Sequence, residues 1–157
     1  MHTKLYINLS LILYPMNPRV SIIIINWNGW RDTIECLESL YQIDYPDYTI
    51  ILVDNNSTND SLYKIKEYLN GNIKVKSDFF DYNPHNKPLK FKEYRLKDLK
   101  SLKMEKNSEK LTIIKNDQNS GFAKGNNIGI KYAINFLKSE YVLLLNNDTV
   151  VDKNFLN

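Results

Sequence analysis

The chain has 157 residues, a length typical of one domain with room for a substantial hydrophobic core. Its composition, 43% hydrophobic and 25% charged, is that of a globular protein and excludes a disordered one. The net charge is only +3, with +5 on residues 74–110 and −2 on the rest of the chain. A dedicated nucleic-acid-binding protein typically has a much larger positive charge. The single cysteine, Cys36, excludes an internal disulfide and, with only two histidines, argues against a zinc site. We therefore expect a cytoplasmic protein with no nucleic-acid partner.

The first 17 residues differ from the rest of the chain. The apolar run at 5–14, LYINLSLILY, is shorter than the roughly 18 residues that a membrane span requires. It could act as a weak secretory signal, but no small-residue cleavage site follows it. The patterned sequence begins at Val20, shortly after Met16, which is itself an alternative start. We interpret residues 1–17 as an N-terminal extension outside the core, and residues 18–157 as one domain.

Two strands and two helices are predicted before residue 72. Val20–Ile25 and Thr49–Val53 are uncharged runs rich in β-branched residues, which is typical of strands buried on both faces. An amphipathic helix follows each, the first over Asp32–Tyr41 with its first residue as N-cap, the second capped by Asn59 or Asp60. Alternating strands and helices with short links predict a parallel sheet with right-handed crossovers.

Residues 72–110 interrupt this alternation. The segment is rich in lysine, asparagine and aromatic residues and lacks periodicity before Tyr94, after which Leu96, Leu99 and Leu102 or Lys103 could form a short helix. An excursion of this length in a compact domain is functional or mobile. Its basic side chains either meet an anionic acceptor or a membrane surface, or belong to a solvated surface insertion. The residues concerned are Lys87, Lys90, Lys92 and Arg95, which are interleaved with Phe91 and Tyr94.

A third strand, Leu111–Ile114, precedes a polar loop in which Gly121 and Gly125 allow close backbone approach. The N-terminus of the next helix, predicted over 124–138, points at the edge where the strands end. The dipole and the free N–H groups of this helix suit a phosphate at that edge. Alternatively, the two glycines only make the polar loop flexible, and no ligand binds there. The apolar face of this helix comprises Ile130, Ala133, Ile134 and Leu137.

The last strand, Tyr141–Leu145, is an uncharged run that we expect to be buried on both faces. It stops at Asn146, Asn147 and Asp148, which places oxygen ligands where open α/β sheets bind their ligands. Taken alone, this cluster fits either a metal site or a polar turn that closes a core strand.

Polar clusters follow all four predicted strands. If the strands are parallel, the clusters share one rim of the sheet, and a ligand site at that rim explains them together. The clusters are Asn26-Trp27-Asn28, Asp54-Asn55-Asn56-Ser57, residues 116–125, and Asn146-Asn147-Asp148.

Four stretches, in this order and spacing, resemble the family 2 glycosyltransferases and especially their rhamnosyltransferase-like branch. They are VSIIIINWNGWRDTIECLESL (20–40), IILVDNNSTNDS (50–61), NSGFAKGNNIGIKYA (119–133) and YVLLLNNDTVVD (141–152). The resemblance implies an α/β fold with a mainly parallel open sheet and flanking helices, the nucleotide-diphospho-sugar transferase (GT-A, Rossmann-like) fold. It implies transfer of a sugar, with inversion, from a dTDP- or UDP-linked nucleotide-diphosphate sugar to a hydroxyl of a glycan or lipid-linked acceptor. A role in cell-surface polysaccharide biosynthesis, with peripheral association at the inner face of the membrane, would follow.

The resemblance also implies which residues bind the donor. The loop after the first strand, with Asp54 and Asn55, would hold the base and ribose, and Trp27 is suited to pack on the base. Residues after the third strand would line the diphosphate pocket. The full set is Asn26, Trp27, Asn28, Asp54, Asn55, Asn119, Gly121, Lys124, Asn126, Asn146 and Asn147.

The Asn146–Asp148 cluster occupies the place of the family's metal-binding acidic triplet. The resemblance therefore implies a Mg²⁺ or Mn²⁺ ion bound by Asp148 and Asn146. Asn146 stands where the family usually has its first aspartate, so only Asp148 contributes a full charge.

In the family, the catalytic base is an Asp or Glu well after the triplet, and Asp152 follows too closely to match it. We assign no catalytic residue within this chain and expect a partial GT-A domain, incomplete at the C-terminus. One alternative is a non-catalytic nucleotide-sugar-binding module. A nucleotidyltransferase is less favoured, because Asn26–Trp30 lacks that class's glycine-rich, basic loop.

Overall fold

The computed structural model describes residues 17–102 and 109–157. Five strands in these residues form one fully parallel sheet. They are β1 (Val20–Asn26), β2 (Tyr48–Asp54), β3 (Phe91–Arg95), β4 (Leu111–Lys115) and β5 (Tyr141–Leu145), in the spatial order β3-β4-β2-β1-β5. The predicted α/β fold with a parallel open sheet is confirmed.

Helices cover both faces of the sheet. They are α1 (Trp30–Leu40), α2 (Ser61–Leu69) and α3 (Phe122–Tyr132). The helices α1 and α2 pack on one face, and α3 packs on the other. A π-helical turn, Ala133–Leu137, extends α3, and short 3-10 segments occupy Pro84–Asn86 and Leu96–Ser101. In the part of the chain that the structure describes, no helix is long and apolar enough to cross a bilayer.

The register of β1, β2, β4 and β5 aligns their carboxyl ends. Asn26 pairs with Asp54, which in turn pairs with Lys115, and Ile24 pairs with Leu145. The residues that follow these four strands therefore emerge at one edge of the sheet. As predicted for buried strands, β1 and β2 are almost wholly inaccessible to solvent.

The burial of β5 differs from the prediction. Tyr141 is 61% exposed and Leu144 is 47% exposed, whereas Leu143 and Leu145 pack against the α1 side of the core. The strand lies at one edge of the sheet and, among the described residues, pairs only with β1. A continuous apolar run does not distinguish an edge strand from a central one, and the expectation of two buried faces was wrong.

The 72–110 segment contributes a strand that the sequence did not predict. Residues Phe91–Arg95 form β3 at the other edge of the sheet, where Glu93 forms ion pairs with Lys66 and Lys115. The short helix expected after Tyr94 is a 3-10 segment in which Leu99 is buried. Lys103, the alternative member of its apolar face, lies outside the described residues.

The proposed surface role of Lys87 is wrong, because this side chain is buried in an ion pair. Its Nζ lies 2.8 Å from Oε2 of Glu38, and the two side chains are 4% and 0% exposed. Glu38 also accepts hydrogen bonds from the Tyr68 hydroxyl (2.7 Å) and the Asn83 backbone N–H (2.9 Å). The pair therefore fastens the 72–110 segment to α1 and α2.

Two helices differ in detail from the prediction. Helix α1 begins at Trp30 with Gly29 at the N-cap and no side-chain cap, so Asp32 lies inside the first turn. The π-helical turn after α3 rotates the expected apolar face. As a result Ala133 and Leu137 are buried while Ile134 is 54% exposed.

Gly129 sets the approach of α3 to β1. A Cβ added at this position would lie 2.6 Å from Cγ2 of Ile23, a distance that requires the helix or the strand to shift. At Gly125 the corresponding distance, to Cδ1 of Ile25, is 3.3 Å. We expect Gly129→Ala to lower the free energy of unfolding by about 1–3 kcal/mol despite the higher helix propensity of alanine. Urea unfolding should show a smaller loss for the matched variant Gly125→Ala; a Gly129→Ala variant as stable as the parent would contradict this packing.

Candidate functional site

A cleft of about 380 Å³ lies at the carboxyl edge of the sheet. It is bounded by the ends of β1, β2 and β5 and by the start of α3. Seven of the predicted substrate or metal residues line it, and they come from all four polar clusters. These seven are Trp27, Asn55, Asn119, Gly121, Asn146, Asn147 and Asp148, joined by Ile25 and Phe122.

Asp54 and Asn26 lie behind the cleft lining. They are 4% and 0% exposed, and Nδ2 of Asn26 donates to Oδ1 of Asp54 at 2.8 Å. The same carboxylate accepts from the Ser57 hydroxyl (2.6 Å) and from the Ser57 backbone N–H (3.2 Å). These bonds hold the loop after β2 against the end of β1, so the two side chains shape the site from beneath.

Asn28 fixes the same loop from its exposed side. Its Oδ1 accepts hydrogen bonds from the backbone N–H groups of Thr58 (2.8 Å) and Asn59 (3.2 Å). Asn28 and Asn56 both have a left-handed backbone, with φ of 58° and 61°. Asparagine tolerates this conformation better than most residues with a Cβ, which accounts for its use at both strand ends.

Asn55 joins the end of β2 to the loop after β4. Its Oδ1 accepts from Nδ2 of Asn116 (2.9 Å) and from the Ser120 backbone N–H (3.2 Å). Its Nδ2 donates to Oδ1 of Asn119 at 2.8 Å. Because Asn55 is only 2% exposed and its amide is fully engaged, it sets the position of the loop that leads into α3.

The amino end of α3 faces the cleft. Gly121 is the N-cap with φ of 78°, a conformation that favours glycine, and no side chain caps the first turn. Phe122, the first residue of α3, lines the cleft and is 59% exposed. Two predicted residues of this helix do not line the cleft: Lys124 points to solvent, and buried Asn126 donates to the Phe122 carbonyl at 3.1 Å.

The turn after β5 is anchored through its middle residue. Nδ2 of Asn147 donates to the Thr33 hydroxyl at 3.1 Å, which ties the turn to the start of α1. Asn146 and Asp148 on either side of it are exposed. Among the described residues, the Asp148 carboxylate has no hydrogen-bond or ion-pair partner, so its oxygens are available to a ligand.

Cys36 lies directly under this turn, with its Sγ 3.8 Å from the Asn146 carbonyl oxygen. Burial, reinforced by the carboxylates of Asp148 and Glu35, raises the pKa of the Cys36 thiol to about 12. A neutral, buried thiol is a poor nucleophile.

The oxygen atoms of Asp148 and Asn146 fit a cation that takes its remaining ligands from the substrate and from water. No group of three or more His, Cys, Asp or Glu side chains in the described ranges could hold a metal on its own. The cleft lining carries one formal charge, that of Asp148, next to the amide of Asn146. Mg²⁺ is bound in this way, through one or two carboxylates plus phosphate oxygens and water, so these residues suit it.

Sequence reasoning missed Phe122 as a lining residue, and Ser57 and Thr33 as residues that support the site. The signal for Phe122 was available, since it is a large apolar residue beside Gly121 that does not belong to the buried face of the helix. Ser57 was within the predicted cluster after β2. Thr33 gave no signal, because its contact to Asn147 joins residues 114 positions apart.

Comparison with protein families gives a match over residues 21–83, to the family described as Glycosyl transferase family 2. This segment contains the clusters after β1 and β2. A search of curated protein sequences found no match to the chain.

Solved structures of glycosyltransferases share the architecture. TarS of S. aureus (residues 1–349) aligns with a TM-score of 0.54 at 21% identity, covering 86% of this chain and 29% of that fragment. The mannosyltransferase PcManGT of Pyrobaculum calidifontis, in complex with GDP-Man and Mn²⁺, aligns with a TM-score of 0.55 at 20% identity, covering 85% of this chain and 28% of PcManGT. The chain has the GT-A glycosyltransferase fold.

The GT-A assignment confirms the predicted fold. The same TarS fragment in complex with UDP aligns with a TM-score of 0.53 at 20% identity, covering 88% of this chain and 30% of the fragment. This chain thus spans less than a third of the length of these GT-A enzymes. The family match covers fewer than half of the residues of this chain, and the solved structures show its fold.

Proposed function

We propose that residues 18–157 are the donor-binding part of a glycosyltransferase that moves a sugar, with inversion, from a nucleotide-diphosphate sugar to an acceptor hydroxyl. The observation that carries the proposal is the cleft in which residues of all four strand-end clusters meet. The GT-A fold and the family 2 segment support the class of reaction.

The nucleotide base is the first part of the donor to place. Trp27 and Phe122 are 54% and 59% exposed, and both line the cleft. Exposed aromatic rings at a ligand site offer flat apolar faces on which a base stacks. We propose a dTDP- or UDP-linked donor of the kind used by the rhamnosyltransferase-like branch, supported by the stretches around Asn119 and Asn146.

The diphosphate would lie between the start of α3 and the turn after β5. The uncapped N–H groups of α3 suit phosphate oxygens, but the one formal charge on the cleft lining is the negative charge of Asp148. A free diphosphate would be repelled by that charge, and a divalent cation held by Asp148 and Asn146 reverses the sign of the interaction. When bound, such a cation acts as a Lewis acid that stabilises the leaving nucleoside diphosphate.

The protein residues bind and orient the donor in this scheme. The bonds made by Asn55 position the loop before α3, and the bond from Asn147 to Thr33 positions Asp148. Attack by the acceptor also requires a general base within hydrogen-bond reach of the hydroxyl. We propose that a part of the enzyme outside these 157 residues supplies that base, in keeping with the 28–30% of the structural relatives that the chain spans.

The acceptor and the cellular location of the enzyme follow from the same family resemblance. We propose a glycan or lipid-linked acceptor in cell-surface polysaccharide biosynthesis, and a cytoplasmic enzyme associated peripherally with the inner face of the membrane. A single, buried, unpaired cysteine supports a reducing compartment.

Replacing Trp27 with alanine tests the base site. Because stacking of a base on an aromatic ring is worth about 1–3 kcal/mol, Trp27→Ala should weaken binding of UDP or dTDP in the presence of Mn²⁺ by about fivefold or more. Tyr63→Ala is the matched control, since Tyr63 is 60% exposed on α2 and does not line the cleft. Calorimetric titration should show unchanged affinity for the control, and equal affinities of Trp27→Ala and the parent would contradict the base site.

A turnover assay beside this titration separates an enzyme part from a binding module. We expect the 157-residue chain to bind the nucleotide sugar without appreciable sugar transfer. Robust transfer by the purified chain would contradict the assignment of the base to another part. Binding without transfer in a longer form that includes the acceptor side would favour the non-catalytic module.

A further inference from the structure

A second cavity, of about 650 Å³, lies between the 3-10 segment Leu96–Ser101 and the side of α3. It shares no lining residue with the donor cleft. Its walls are mainly apolar, and ring contacts at 6.1 Å and 5.2 Å join Tyr132 to Tyr94 and Phe136. The apolar lining residues are Leu96, Leu99, Leu102, Ile128, Tyr132 and Phe136.

The rim of this cavity is basic. Lys97, Lys100 and Lys131 line it and are exposed, and Asp117 is the one carboxylate among its lining residues. Within the described ranges none of the three lysines forms an ion pair, in contrast to the buried Lys87. An apolar trough edged by three unpaired cations and one anion is complementary to an amphiphile with an anionic head.

We propose that this cavity docks an anionic phospholipid of a membrane surface, with an acyl chain along the apolar walls and the phosphate between the lysines. Each basic residue near an anionic bilayer contributes about 1 kcal/mol of attraction, and apolar contact adds to it. The proposal rests on the peripheral membrane association proposed above and assigns it to a surface. It does not depend on donor binding, because the two cavities are separate.

Vesicle flotation tests the charge of the rim. The chain should bind vesicles of equimolar phosphatidylglycerol and phosphatidylcholine, and should bind phosphatidylcholine alone far more weakly. The double variant K97E/K100E should lose at least about tenfold in partitioning. The matched variant K74E/K76E makes the same charge change at exposed lysines that do not line the cavity, and should stay within about twofold of the parent. No binding by the parent, or equal losses in both variants, would overturn the proposal.

Brominated acyl chains test whether lipid enters the cavity. A tryptophan introduced as Leu96→Trp should be quenched by brominated phosphatidylglycerol vesicles beyond the signal of the native tryptophans. The control Ile73→Trp places the probe at another half-buried position outside the cavity and should show no added quenching. Absence of added quenching in Leu96→Trp would mean adsorption by charge alone, or a cavity filled by the chain that follows Leu102, and would overturn the proposal. Titration of the same variants with UDP and Mn²⁺ reports on the donor cleft separately, so failure of one proposal is not mistaken for failure of the other.

Discussion

Replacing Glu38 with alanine should lower the free energy of unfolding by about 3–5 kcal/mol, a large part of the stability of a single domain. The substitution leaves the Lys87 ammonium buried without its carboxylate, since the two side chains are 4% and 0% exposed. It also removes the acceptor of the Tyr68 hydroxyl and of the Asn83 N–H. Burial and the Glu38 carboxylate raise the pKa of Tyr68, so that hydroxyl remains a protonated donor that needs a partner.

Two further variants isolate the buried pair. E38L/K87M removes both charges and keeps apolar bulk, so it should recover the part of the loss that comes from the unpaired Lys87 charge. The Tyr68 hydroxyl and the Asn83 N–H still lack their acceptor in this variant, so recovery should be incomplete. Asp47→Ala breaks the Arg19–Asp47 ion pair, whose side chains are 45% and 44% exposed, and should cost less than about 1 kcal/mol. Urea unfolding followed by circular dichroism measures all three. A Glu38→Ala variant within about 1 kcal/mol of the parent would show that the pair does not fasten the 72–110 segment.

Replacing Asp148 with alanine should weaken Mn²⁺-dependent binding of UDP or dTDP by at least about 100-fold. Loss of a residue that only supports a metal ligand costs about 10- to 100-fold, and Asp148 is the one charged group on the cleft lining. Asp152→Ala removes a nearby exposed carboxylate that does not line the cleft, and should leave the affinity unchanged.

Asp148→Asn distinguishes a metal ligand from a structural residue. Without metal, the parent cleft presents a negative charge to the diphosphate, so removal of that charge should strengthen residual binding slightly. With Mn²⁺ the order should invert, and the parent should bind more tightly. Parallel calorimetric titrations in EDTA and in Mn²⁺ measure both orders. An unchanged affinity of Asp148→Asn in both conditions would contradict the metal assignment.

The core of the fold and the rim of the site were predictable from local patterns. The uncharged, β-branched runs of β1 and β2 are buried on both faces. Parallel strands finish at the same edge of a sheet, and ligands bind at that edge. This rule was enough to predict that Trp27, Asn55 and Asp148 line one cleft.

Other features depend on contacts that a linear pattern does not contain. Leu144 is exposed because β5 lies at the edge of the sheet. The order of the strands determines this position, and the apolar sequence of β5 does not reveal it. The pairing of Glu38 with Lys87 joins residues 49 positions apart, each of a type that is usually exposed. The placement of Asn26 and Asp54 beneath the lining is set by bonds to Ser57, which residue types alone do not reveal.

The central claim is that the cleft at the carboxyl edge binds a nucleoside diphosphate through a divalent cation. Calorimetric titration of the unmodified 157-residue chain with UDP and with dTDP, in Mn²⁺ and again in EDTA, tests it most directly. We predict saturable binding of at least one of the two nucleotides in Mn²⁺ and only weak residual binding in EDTA. Absence of binding in Mn²⁺, or equal binding in EDTA, would contradict the account.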